Sequence, residues 1–63
     1  MTIRQAYYTE QRAARCLLGS VIRLGLASQL YREAAEFWNR AGWRDRGFIC
    51  LFWSKGCQEQ MNR

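Results

Sequence analysis

The side chains that most often do chemistry are sparse in this sequence, and their spacing assembles no familiar reactive group. There is no histidine, which removes the commonest general base and a frequent metal ligand. The carboxylates Glu10, Glu33, Glu36, Asp45 and Glu59 are scattered. Glu33 and Glu36 share a helix face, but with no glycine-rich loop or metal-binding neighbour they read as solvated surface. Ser20, Ser28 and Ser54 have no histidine to activate them. Neither a G-x-x-x-x-G-K-[ST] nor a G-x-G-x-x-G phosphate loop is present. The three cysteines, Cys16, Cys50 and Cys57, form no C-x-x-C pair. Their odd number and the lack of a signal-peptide pattern argue against a secreted disulfide scaffold and for the cytoplasm. Cys16 and Cys50 read as small buried hydrophobes, and no zinc-site spacing appears. The expectation is a protein that is not an enzyme, with no catalytic residue, no cofactor and no metal.

What the sequence does offer is charge and aromatic area. It carries ten basic residues, all but Lys55 arginine, and a net charge of +5. Arginine forks bind carboxylates and phosphates in two-point geometry and stack on aromatic faces, so the balance favours an acidic partner. Three Trp, three Tyr and three Phe sit in 63 residues. Each ring can bury about 150–250 Å², more than a few short helices can hide, and the excess points to a partner or a second copy. The longest apolar run, Phe48 to Trp53, is far short of the ~20 residues a membrane span needs.

These residues must be positioned by a single small domain, 1–63, which buries only about 60% of the surface its unfolded chain exposes. Proline is absent, so punctuation falls to the glycines. From Thr2 to about Leu24, apolar residues recur at three- and four-residue steps, the helical period. Thr2 and Gln5 make a capping-box pattern, Gly19 and Ser20 interrupt the run, and Gly25 is placed to end it. Arg4, Arg12, Arg15 and Arg23 fall largely opposite the apolar stripe. A second helix is expected from Ala27 to Ala41, with Ser28 as N-cap, a Glu36–Arg40 pair and Gly42 as its stop. A third segment runs from Trp43 to about Gln60. Its 48–53 stretch has the length of a buried strand, but only Ile49 is β-branched, and a helix apolar on several faces fits better. The fold class expected is all-α: a compact three-helix protein, a helical hairpin plus a third helix, forming a homodimer sealed partly by that helix.

Direct reading of DNA needs a helix with several Arg, Lys, Asn or Gln on one exposed face. The second helix is mostly apolar with two acids, and the third opens with Arg44 and Arg46 but turns apolar. Protein binding is therefore the stronger expectation. The surface is expected around Tyr31, Phe37, Trp38, Trp43, Arg44, Arg46, Phe52 and Trp53.

The stretch Gly25-Leu26, then Leu30-Tyr31-Arg32-Glu33-Ala34-Ala35-Glu36-Phe37-Trp38-Asn39-Arg40-Ala41, resembles the G-x-Y-x-x-A-A-x-x-W-x-x-A helix of tetratricopeptide-type hairpins and of the ANR family, the AraC negative regulators of bacteria. Trp43, Arg46, Phe48 and Cys50 are similar to that family's W-x-x-x-R-x-x-F-C signature, with the Arg three residues after the Trp and one residue between Phe48 and Cys50. The PerC-like virulence regulators have a related layout. The resemblance implies a cofactor-free negative regulator of transcription that binds AraC/XylS-type activators or nucleoid-associated proteins. The matching positions are Tyr31, Ala34, Ala35, Trp38, Ala41, Trp43, Arg46, Phe48 and Cys50, most of them expected in the core. The other readings weighed are an Arg-rich DNA-binding regulator and a phage- or plasmid-encoded inhibitor of a host machine.

Overall fold

The computed structural model describes residues 2–18 and 22–63, without the Thr2 side chain; the expected Thr2 cap and the Gly19–Ser20 interruption lie outside that description. The described residues form three helices and no strand: α1 (Thr2–Arg15), α2 (Leu24–Arg40) and α3 (Arg44–Met61). The 48–53 run is helical throughout. α2 is the middle element, packed against both others, while α1 and α3 meet through side chains and not through close backbone approach.

The chain reverses earlier than the apolar period suggested. α1 stops at Arg15 and tightens through short bonds from Leu17 N–H to the Ala14 carbonyl (3.0 Å) and from Leu18 N–H to the Arg15 carbonyl (3.2 Å). Arg23 N–H then reaches back to the Cys16 carbonyl at 3.0 Å, which closes the connection and leaves Leu17 and Leu24 packed on the core. Two expectations fail here. Gly25 does not end a helix: it lies inside α2, where an added Cβ would stand 3.4 Å from the Met61 sulfur at the far end of α3. Ser28 is not an N-cap either; it is buried one turn inside α2. The stop at Gly42 is as expected. Gly42 takes φ +88°, its N–H bonds to the Asn39 carbonyl (3.1 Å), and Trp43 N–H bonds to the Trp38 carbonyl (2.8 Å). That is a Schellman closure, which needs the left-handed conformation that glycine adopts freely.

Small residues hold α2 and α3 together. On α3 the buried positions are Gly47, Cys50, Ser54 and Cys57, a three-four-three spacing that makes one narrow seam. Facing it, Ser28 and Ser54 bond reciprocally: Ser28 Oγ donates to the Ser54 carbonyl (3.1 Å), and Ser54 Oγ donates to the Ser28 carbonyl (2.8 Å). Gly47 passes so close to α2 that a Cβ there would lie 3.2 Å from the Ala35 carbonyl oxygen. Such close approach turns dispersion and satisfied polar contacts into the glue that large side chains usually provide. The rest of the core is again mainly small, with Ala6, Ala13, Ala27, Ala34 and Ala35 buried around Leu30, Tyr31 and Trp38.

Candidate functional site

Because mainly small residues of α3 face the interior, its large ones are left outside. Phe48 is 71% exposed and Phe52 67% exposed, one turn apart on the side of α3 opposite the Gly47–Cys57 seam. Ile49, Leu51 and Trp53 flank them and are also exposed. A helix apolar on nearly every side belongs in a core; α3 has one face in a core and the rest uncovered. Beside the ridge, Leu17, Leu24, Tyr31, Trp53 and Cys57 line an open groove of about 390 Å³.

The whole chain exposes 4878 Å², where a compact monomer of its mass would show about 4,250 Å². The difference, about 600 Å², marks a chain more open than a compact monomer of its mass.

The eight residues expected to form the binding surface divide into three groups. Phe52 and Trp53 lie on the ridge, and Trp43 and Arg44 are exposed at the start of α3. Tyr31 and Trp38 are each only 4% exposed and belong to the core, which corrects their assignment to the surface; Phe37 is half-buried against the same core. The two core aromatics do reach the surface indirectly. Trp53 meets Tyr31 edge-on, ring centroids 5.3 Å apart, and Trp43 leans on Trp38 at 6.0 Å. Arg46 is spent internally, stacked over the Trp38 ring at 4.7 Å and bonded to Glu10.

Glu10 is the residue that sequence reasoning missed. It looked like one of five scattered carboxylates, yet it ties all three helices. One oxygen accepts from Trp38 Nε1 (3.1 Å, α2) and from the Cys50 thiol (3.1 Å, α3); the other accepts from the Arg46 guanidinium (2.8 Å, α3). This is the sole ion pair among the described residues, and the expected Glu36–Arg40 pair does not form. The available signal was position: Glu10 follows Ile3, Ala6 and Thr9 in the helical period and is the lone acid of α1.

Of the cysteines, Cys50 is fully buried and Cys57 nearly so, while Cys16 is half-buried. Burial, together with the bond it donates to Glu10, pushes the Cys50 thiol up to about 12. Burial also raises Cys57 and Tyr31. An unfolded Cys50 loses its proton near its ordinary value of 9.0 and the folded one near 12. Its contribution to stability is therefore complete below about pH 9 and drains away as pH rises towards 12, at up to roughly 1.4 kcal/mol per pH unit. Urea midpoints measured from pH 8 to 11 are expected to fall with pH, and Cys50→Ala to flatten the fall. An unchanged slope in that variant would mean that the fold does not keep the Cys50 thiol protonated.

No group of three or more metal-ligating side chains lies together among the described residues, and no helix there is long and apolar enough to cross a membrane. No protein-family model, curated protein or solved structure matches this chain.

Proposed function

We propose that this chain is a small, non-enzymatic regulator that works by gripping a protein partner with the α3 ridge. The observation that carries the reading is the inverted distribution of side chains. Small residues hold the helices together, and Phe48 and Phe52 stand exposed on a helix whose opposite face is already satisfied. Aromatic anchors clustered beside a groove are the common form of a binding hot spot. Arg44 and Lys55, both exposed on α3, would supply the charged rim of such a contact.

The resemblance to AraC negative regulators supplies the partner: an AraC/XylS-type transcription activator, whose amphipathic helix would lay its apolar face along the ridge. In the absence of that partner the same ridge pairs two copies of the chain in a homodimer. Binding of the activator then competes with self-association, and the activator is held out of its own assembly. On this reading the protein acts in the cytoplasm, without a cofactor.

The test is a titration of the purified chain against AraC-type activators encoded in the same genome, paired with light scattering of the chain alone. The double variant Phe48→Ser/Phe52→Ser is expected to lose at least a hundredfold in affinity, since two hot-spot aromatics contribute about 2 kcal/mol or more each. It is also expected to run as a monomer at micromolar concentration, with unchanged helical content. If the parent chain binds none of the activators, the regulatory reading falls. If it is already monomeric, the dimer falls separately.

A further inference from the structure

α1 carries a second surface of opposite character to the ridge. Arg4, Tyr8, Gln11, Arg12 and Arg15 are all exposed and recur at steps of four, three, one and three, so they share one side of the helix. That side lies opposite the buried row of Ala6, Thr9 and Ala13. It contains no acid. The lone carboxylate of α1, Glu10, is turned inward, where Trp38, Arg46 and Cys50 occupy it. Glu33, Glu36, Asp45 and Glu59 all sit on α2 and α3. Removing the Glu10 charge from the outer face therefore leaves three arginines there with nothing to oppose them.

We infer that this face of α1 binds double-stranded DNA, with the helix in the major groove and the arginines on the flanking phosphates. A helix of this width enters a groove about 12 Å across. Arg4 and Arg15 are separated by about 16 Å along the axis, a span that reaches phosphates on both sides of the groove. Gln11 and the arginines are the side-chain types that read base edges, and the Tyr8 hydroxyl and guanidinium groups serve phosphate oxygens. An acidic protein is the poorer fit. Hot spots in protein interfaces need apolar anchors, and Tyr8 is the one aromatic among these five residues, with exposed Tyr7 at their edge. A lipid surface fails for the same reason, because an interfacial helix must bury an apolar side. Duplex RNA is excluded by shape, since its major groove is too deep and narrow to admit a helix. The Glu10 tie fixes α1 to both other helices, so the face is presented as a rigid unit. This inference is independent of the ridge and of its partner.

The experiment is fluorescence anisotropy of the intact chain with a labelled duplex of about 20 base pairs, repeated from about 50 to 200 mM salt. Three phosphate contacts predict a slope of log K against log salt near −2.7, a fall of roughly 40-fold over that range. The triple variant Arg4→Gln/Arg12→Gln/Arg15→Gln is expected to lose at least tenfold at 100 mM salt and most of the slope. A second triple, Arg32→Gln/Arg40→Gln/Arg63→Gln, removes the same charge elsewhere and is expected to keep most of the binding, and circular dichroism checks that both remain helical. The inference is overturned if the parent does not bind duplex DNA, if the two triples weaken it equally, or if duplex RNA or a polyglutamate peptide binds as tightly as DNA.

Discussion

Replacing Glu10 with alanine is expected to remove about 2–4 kcal/mol of stability, among the largest losses any single side chain here can produce. The Arg46 end of the tie contributes little of this, because that guanidinium is 43% exposed and water screens its attraction to the carboxylate. The loss comes from the inner partners. Trp38 Nε1 and the Cys50 thiol each donate to a Glu10 oxygen inside the molecule, and a buried donor left without an acceptor costs about 1–3 kcal/mol. A domain of this length holds roughly 3–9 kcal/mol in total, so the variant is expected to be partly unfolded at room temperature. Where it still folds, its melting temperature should drop by well over 10 °C. Urea titration followed by tryptophan fluorescence measures the effect. Glu10→Gln keeps an acceptor for Trp38 and should cost less than half as much, and Arg46→Ala less than about 1 kcal/mol. Equal losses for Glu10→Ala and Arg46→Ala would show that the carboxylate is an ordinary surface ion pair and braces nothing.

The second large effect is expected at Gly47. A Cβ there would collide with the Asn39 amide oxygen, lie 2.8 Å from its Cγ, and press to 3.2 Å on the Ala35 carbonyl oxygen. The Asn39 side chain is exposed and can swing away; the backbone of α2 cannot. Gly47→Ala should therefore come out near neutral, with a helix-propensity gain of up to about 1 kcal/mol offset by the tight contact. Gly47→Leu has no such compensation and forces α2 and α3 apart, for about 2–3 kcal/mol. Gly56 is the internal control. It lies in the same helix with nothing within 4 Å of an added Cβ, so Gly56→Ala should stabilise by roughly 0.5–1 kcal/mol. If both glycines respond to alanine alike, the close α2–α3 approach is not what holds the hairpin.

These two residues also show where the sequence is legible and where it is not. Helical period marks all three helices, and Gly42 marks the turn between α2 and α3, because both signals are local. Smallness is ambiguous. Gly25 and Ser28 look like helix punctuation, since glycine and serine favour caps and turns; in the fold they sit inside α2, and Ser28 bonds across to Ser54 on the opposite helix. What decides between the two readings is a neighbour 26 residues away, which no local pattern contains. Aromatic residues mislead in the same manner. Trp38 and Phe52 are equivalent by composition, yet the first is core and the second is ridge, because α2 is covered on two sides and α3 on one. For Glu10 and the α1 arginines the obstacle is sign: a carboxylate within the helix makes its charges look mixed until the fold turns that carboxylate inward. The fate of one acid thus determines whether α1 reads as ordinary solvated surface or as a basic face.

The small-residue seam of α3 separates two jobs that most helices of this size must share. Residues 47, 50, 54 and 57 answer to the fold, and 48, 51, 52 and 55 answer to whatever lies outside. A library randomised at the outer four positions should return mostly folded proteins with altered partners, whereas one randomised at the inner four should tolerate little beyond Gly, Ala, Ser and Cys. A lineage carrying this hairpin is therefore free to change allegiance from one target to another without passing through an unfolded ancestor.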